Sequence, residues 1–557
     1  MKKIIMTVWA ASLYTSFSYA KLPPLITEPQ EPPPTLSESQ PPDLRGPADV
    51  LESNQGYISH VHFRGGTVIS DEELSSIAQP LIDTHYSIEM AKRVIGKINA
   101  LYEKKGYPLS YASIAADGFH QGRLTITLIE GYVVRAEVIV DQANIQYKVN
   151  RVLKPILQEK PLTQNSLEKA ILLLREIPGY RFQLALPKPK TLSGATSIRI
   201  EEVERKWIEP DLSYSYQKEG DNDLYATVTV NSLNSWIEKV SLSGLIPVDS
   251  ERDTEYYAIS MDHAWYDPLG IKGQLNFSRY KDNSETRLPL LGVELDVDQS
   301  KVRDRYSYSV MAPLILTTAR QWKVRAKIYH TEEQNDYDVT YQDLTLDNIE
   351  QTTNYSAFSL YTNFLTSIPD FYWFSTLEVR QGVDLGANKS ELSNNQGTRD
   401  FEEGDLNFTA WIVNMAVGYD MVGDVQLQVK GNGFYSDDDL VSAERVSYGG
   451  RFYGRGYPEG QAEGDVGYGA EVMLSRSFHY DLMIIDQFKP YVVADTAYTK
   501  FNSLAIEHNL SSYALGLEVS YKDAIKVAFE YAVPLDDVNI DTGRKSELYN
   551  ISASWNF

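Results

Sequence analysis

The sequence predicts a transmembrane antiparallel β-barrel of about sixteen strands, preceded by two small α+β units. Three observations carry this prediction. The chain opens on an export signal, yet no later stretch is long and apolar enough to cross a bilayer as a helix, which leaves a closed barrel as the way to span one. From Trp207 to Phe557 helical periodicity gives way to segments of about ten residues that alternate apolar with polar side chains. The connections between these segments are short and long by turns, as expected for a barrel with tight turns on one rim and long loops on the other.

Residues 1–20 read as a signal peptide. Lys2 and Lys3 form the charged start, Ile4 to Leu13 a short apolar run, and Ser18-Tyr19-Ala20 a cleavage site with small residues at its two key positions. Residues 21–55 form a Pro-rich linker with Pro23, Pro24, Pro29, the run Pro32-Pro33-Pro34, Pro41, Pro42 and Pro47. Proline removes backbone donors and favours extended chain, so this is a tether, with room for only a short plug helix near Ala48–Ser53.

Residues 56–132 and 133–206 each read as a β-α-α-β-β unit. In the first, a strand at 57–63 precedes a helix opened by Ser70, with Glu73 completing a capping box. A second helix carries Ile88, Ala91, Ile95, Ile98 and Tyr102 on one stripe and stops at Gly106. The closing strand alternates around Leu124, Ile126 and Leu128. In the second unit, strands are expected at 136–140, 182–186 and 197–203. Its helices are expected at 149–157 and after Thr163, the latter ended by Pro178-Gly179. Units of this size suit binding better than enclosed catalysis.

Residues 207–557 form the barrel. In one segment Leu224, Ala226, Val228 and Val230 alternate with Tyr225, Thr227 and Thr229; in the last, Tyr549, Ile551, Ala553, Trp555 and Phe557 alternate with Asn550, Ser552, Ser554 and Asn556. Lipid on the apolar face and a wet lumen on the polar face account for this pattern. Short turns fall at 267–270, 317–319, 367–369, 422–423 and 522–523, and long polar loops near 281–303, 332–353, 387–405 and 438–465. The 38 tyrosines fit either a wet–apolar boundary or a Tyr-rich soluble β protein; the alternation of turns and loops favours the membrane.

Three stretches carry a family resemblance. They are Leu101-Tyr102-Glu103-Lys104-Lys105-Gly106-Tyr107 with Gly122-Arg123-Leu124-Thr125-Ile126 and Glu130-Gly131; Leu172 to Gly179 with Gly194-Ala195-Thr196-Ser197; and Gly449-Gly450-Arg451-Phe452-Tyr453-Gly454-Arg455-Gly456-Tyr457-Pro458-Glu459-Gly460. Together they resemble the two-partner secretion transporters of the hemolysin secretion/activation type, in the superfamily of POTRA-containing barrels. The resemblance implies two periplasmic POTRA domains, an outer-membrane barrel, and a sixth loop that folds back into the lumen with Gly454, Arg455, Gly456 and Tyr457 at its tip. It also implies a barrel-wall Asp on the thirteenth strand as partner of that Arg, which here is Asp495. Ala494 and Ala497 stand where the family often has Phe and Gly. Trp555 and Phe557 at the end of the last strand are the implied signal to the barrel-assembly machinery. The implied cargo is an unfolded exoprotein: an adhesin, a cytolysin or a contact-dependent toxin.

The residues themselves point the same way on two counts. Gly454 and Gly456 allow close backbone approach, and a guanidinium in a narrow lumen requires an acidic partner. The formal net charge of −24 argues against nucleic acid as a partner. With no cysteine, stability must come from a closed sheet. The sequence holds no phosphate loop, nucleophile elbow or zinc-helix motif, so neither enzyme chemistry, cofactor nor metal is expected. His60 and His62 read as surface residues and Asp437-Asp438-Asp439 as a solvated loop. The rival functions are an insertase for other barrels, which would carry more POTRA units, and a passive porin, which would carry none.

Overall fold

The computed structural model describes residues 56–557 except 116–117, 219–221, 235, 249–253, 266–268, 291–292, 342–343, 402, 481–484, 523, 540–542 and 557. The signal peptide, the Pro-rich linker with its plug segment, and Phe557 lie outside the described residues.

In the first unit the central strand is Arg123–Ile129, parallel to His60–Arg64 and antiparallel to Tyr111–Ser113. The helices Asp71–Ala78 and Ile88–Lys104 cover one face of this sheet. Ser70 and Glu73 form the capping box, each accepting from the other's backbone N–H, and Lys105 reaches Glu73 at 2.7 Å. Ile98, Tyr102, Leu124 and Ile126 are fully buried, so the helical and strand stripes meet in one core.

The second unit repeats the plan: Tyr132–Ile139, helices Ala143–Gln158 and Gln164–Arg175, then Tyr180–Ala185 and Ala195–Arg205, with the last strand central. Its first helix begins earlier than the sequence suggested. The apolar stripe already runs from Ile145 through Val149, Val152 and Ile156, all buried, and Pro155 is tolerated within it.

The barrel has sixteen strands: Ile208–Gln217, Asn222–Asn231, Ile237–Pro247, Glu255–Ala264, Lys272–Leu290, Val293–Leu316, Arg320–Tyr341, Leu344–Ile368, Phe371–Val383, Thr409–Met421, Val425–Ser436, Val466–Arg476, Gln487–Lys500, Glu507–Tyr521, Ile525–Pro534 and Leu548–Asn556. All neighbouring pairs are antiparallel, and the first strand pairs with the last, Leu212 opposite Trp555, which closes the ring and removes the edge. Val228, Leu242, Ile328, Trp373, Val472 and Leu515 stand exposed on the outside, while polar residues such as Ser243, Thr331 and Glu471 are buried on the inside.

The strands are very uneven. The sixth and eighth have 24 and 25 residues, whereas about ten suffice to cross a bilayer. The stretches 281–303 and 332–353, expected as long loops, are instead paired to their tips: Leu290 meets Val293 and Tyr341 meets Leu344. Beyond the bilayer a hairpin is wetted on both faces. Its apolar alternation fades there, and the sequence looks like loop although the ladder of backbone hydrogen bonds continues. Residues 389–400 add a further hairpin to the eighth strand.

The second unit is seated against the short-turn rim. Leu173 lies under Gly270, and Ala264 and Leu316 of the barrel join the unit's own apolar core. Glu168 accepts from the Thr318 N–H and hydroxyl at 2.9 and 3.0 Å. Glu176, at the end of the unit's second helix, lies 3.0 Å from both Lys272 and Lys323 of the barrel. Burial raises the Glu176 pKa, but the two ammonium groups outweigh it and hold the carboxyl down at about 2.

Candidate functional site

The sixth long loop, residues 437–465 between the eleventh and twelfth strands, folds into the barrel. A neck of two short strands, Val446–Tyr448 and Ala462–Gly464, directs it inward. Its tip turns back on itself, with the Tyr457 N–H donating to the Gly454 carbonyl at 2.9 Å. Tyr457 is 0% exposed, an unusual burial for a tyrosine in the middle of a Gly-rich loop. Its hydroxyl accepts from the Asp536 N–H at 2.9 Å and donates to the Ser511 carbonyl at 3.3 Å, so ring and tip are both satisfied.

The glycines beside Arg455 have separate tasks. Gly454 has a φ of +118°, which L side chains rarely adopt. A Cβ on Gly456 would lie 2.6 Å from the Pro534 nitrogen and 2.8 Å from the Val533 carbonyl carbon, so only glycine brings the tip this close to the fifteenth strand.

Arg455 is 8% exposed and meets three carboxylates from three strands. Its Nε and Nη2 donate to Glu471 of the twelfth strand at 3.0 and 2.8 Å. Nη1 donates to Glu530 of the fifteenth strand. The Asp495 Oδ2 on the thirteenth strand is 4.0 Å from Nε. Asp495 holds the tip chiefly through the backbone: its Oδ1 accepts from the Gly454 N–H at 2.7 Å and the Ser512 hydroxyl at 2.8 Å. Ser512 in turn accepts from the Gly456 N–H at 3.1 Å.

The guanidinium's direct hydrogen-bond partners are thus Glu471 and Glu530, which the sequence reading did not single out. The signal lay in strand register. Glu471 stands directly opposite Asp495, and two like charges facing each other across a ladder require a cation between them. Arg455 and Lys430, the latter 2.9 Å from Glu471, supply it.

The other limb of the loop is held in the opposite sense. A single 3-10 turn, Ser442–Glu444, places Glu444 at 1% exposure. Its carboxylate accepts from Arg305 of the sixth strand at 2.9 Å, the Tyr355 hydroxyl of the eighth at 2.7 Å and Arg380 of the ninth at 3.2 Å. Nothing adjacent in sequence marks Glu444, because its partners lie 64 to 139 residues away.

Of the remaining residues singled out, Trp555 faces outward at 45% exposure on the closing strand. Asp438 begins the loop's first limb and accepts from the Thr409 N–H at 2.7 Å. Among the described residues no group of three or more His, Asp or Glu side chains is placed to hold a metal ion.

Two family models match. The POTRA domain of the ShlB type covers residues 57–131, and the haemolysin secretion/activation protein ShlB/FhaC/HecB covers 194–519, more than half of the chain. The heme/hemopexin transporter protein HuxB of Haemophilus influenzae strain 86-028NP is 20% identical over 505 residues, which is 87% of this chain and 84% of that one. Among solved structures, CdiB from Escherichia coli matches with a TM-score of 0.67 at 16% identity, covering 98% of each chain. CdiB from Acinetobacter baumannii gives 0.62 at 13% identity, over 100% of this chain and 99% of that one. BamA from Haemophilus ducreyi lacking POTRA domains 1-3 gives 0.50 at 12% identity, over 90% and 100%. An outer-membrane barrel, POTRA elements on its periplasmic side and a loop drawn into its lumen meet in one molecule, and the chain belongs to the ShlB/FhaC/HecB haemolysin secretion/activation family of two-partner secretion transporters.

Proposed function

We propose that the chain captures one dedicated unfolded exoprotein on its periplasmic units and passes it through the barrel once the sixth loop withdraws. The cargo belongs to the class of adhesins, cytolysins and contact-dependent toxins. The observation that carries this reading is the loop itself. It crosses the lumen yet is fixed to the wall by hydrogen bonds and ion pairs, so it can be displaced. Capture fits the second unit's sheet. Tyr180–Ala185 pairs only with Ala195–Arg205 among the described residues and offers its other edge for strand addition. The signal peptide at 1–20, the tether at 21–55 and a C-terminal Trp555–Phe557 signal to the assembly machinery complete the reading, with residues 56–132 and 133–206 as the two POTRA domains.

Arg455, with Gly454, Gly456, Tyr457 and Asp495, sets the loop's resting position in this reading. The test is secretion of any large exoprotein encoded beside this gene, with and without the gene. Retention of that exoprotein in the periplasm is the expected result. Unchanged secretion together with failure of other barrels to assemble would replace export by insertion, and no change in either would favour a porin.

A further inference from the structure

The lumen is divided by charge. Glu471, Asp495 and Glu530 face it from the twelfth, thirteenth and fifteenth strands, whereas the opposite wall is basic. Lys323, Arg325 and Lys327 take alternate positions on the seventh strand, on the same face as the buried Tyr329, Thr331 and Glu333; Trp322 and Ile328, on the other face, point to lipid. Arg380 lies level with Lys327 through the register Lys327–Ser359–Arg380. Above it Tyr329 sits between two cations, Lys327 at 4.9 Å and Arg305 at 5.0 Å from its ring centre. Arg303 and Lys301 continue upward, bound to Glu333. From the level of Lys323 to that of Asn335, opposite Lys301, this is a basic ladder on the order of 40 Å long at about 3.3 Å per residue.

What sits on the ladder tells what it accepts. Wall carboxylates, Glu378 and Glu333, serve some rungs. Carboxylates from elements outside the wall occupy the ladder at two further points, Arg380 being shared with Glu378. Glu176 of the second periplasmic unit binds Lys323 at the bottom, and Glu444 of the sixth loop binds Arg305 and Arg380 in the middle. Rungs at alternate strand positions are about 6.6 Å apart, which is also the spacing of alternate side chains in any extended polypeptide.

We propose that this ladder is the contact track for the exported chain, recognising acidic side chains two residues apart in an extended segment, and that Glu176 and Glu444 occupy it at rest in the cargo's place. The assignment rests on the export reading above.

The test uses the full chain in planar bilayers at low salt, where exposed charges are least screened. An alternating Gly-Glu peptide and an alternating Gly-Lys peptide of equal length are added from the POTRA side, and blockade of the current is read. The Glu peptide is expected to half-block at a concentration lower by about tenfold or more, and the preference to vanish in the Lys323→Gln/Arg325→Gln/Lys327→Gln variant. Equal blockade by the two peptides, preference for the Lys peptide, or a preference that survives the triple variant would overturn the track. Should the triple variant fail to assemble, Lys327→Gln alone must weaken the preference. A pore that selects the Glu peptide from a strain whose neighbouring exoprotein is secreted without this gene would keep the track and remove the export reading instead.

Discussion

The tip and the descending limb of the sixth loop are held by contacts of opposite sign. At the tip a loop cation, Arg455, enters a group of wall carboxylates; at the limb a loop carboxylate, Glu444, enters a group of wall cations. The two anchors also differ in how they are built. The tip depends on backbone, with glycine at 454 and 456 and N–H groups donating to Asp495 and Ser512, so it is fixed in shape as well as in charge. The limb carries a single 3-10 turn, held by the three bonds of the Glu444 carboxylate, by the Ser442 N–H and hydroxyl donating to Glu403 and Glu333 at 3.2 and 3.3 Å, and by the buried Leu440, Val441 and Ala443.

The sharpest way to break this comparison is at the tip. Arg455→Ala leaves Glu471 and Glu530 buried without the loop cation, a loss in the range of about 3–5 kcal/mol for a broken buried pair. The expected outcome is a barrel that still closes, with a large rise in single-channel conductance and defective export. Gly456→Ala comes next. It keeps every charge but forces a Cβ against the backbone at Pro534, an overpacking cost of about 1–3 kcal/mol. It should raise conductance in the same direction by less, and a conductance equal to the parent's would show that the close approach is dispensable.

The two anchors were unequally legible in the sequence. The tip could be read because its determinants are contiguous: two glycines, an arginine and a tyrosine within four positions. Asp495 could be placed on the wall because a strand's inward residues follow from period two. Glu471 and Glu530 obey the same period, but choosing them requires the cross-strand register, which alternation alone does not supply. Glu444 obeys no period at all, since it sits in irregular chain and its partners come from three distant strands. The same limit explains the long hairpins. Where both faces meet water, apolar alternation has nothing to record, and 281–303 and 332–353 read as loop although they are paired. The barrel was legible where one face meets lipid, and illegible where the surroundings are the same on both sides.

Glu444→Gln sharpens the comparison from the other side. The amide keeps the shape and can still accept from Tyr355, but Arg305 loses its loop counter-charge; Arg380 retains Glu378 at 2.9 Å. Because one partner remains paired, the cost falls below that of Arg455→Ala, on the order of 1–3 kcal/mol for hydrogen bonds to charged groups. Conductance should rise modestly with frequent brief openings, and the tip should stay seated, as read by the unchanged protection of Tyr457 from solvent. A tip that leaves with the limb would show one anchor where the structure has two.

The smallest effect concerns Glu176, the carboxylate that joins the second unit to the foot of the basic wall. Its folded pKa is about 2, below its ordinary 4.5, because Lys272 and Lys323 outweigh the penalty of burial. The sign follows from linkage: a depressed carboxylate pKa contributes stability that is fully present above about pH 4.5 and is lost as pH falls through about 2. Between these limits the seat of the second unit on the barrel should loosen with acidification, while at neutral pH it is at full strength. Limited proteolysis at the rim, at the exposed Trp207 between unit and barrel, should become faster across that window with an acid-active protease that cuts at aromatic residues. Glu176→Gln, already neutral, should start faster at neutral pH and show a flatter dependence. If parent and variant accelerated in parallel, the acid response would belong to other carboxylates, and the joint would owe its hold to Leu173, Glu168 and the backbone contacts around Gly179.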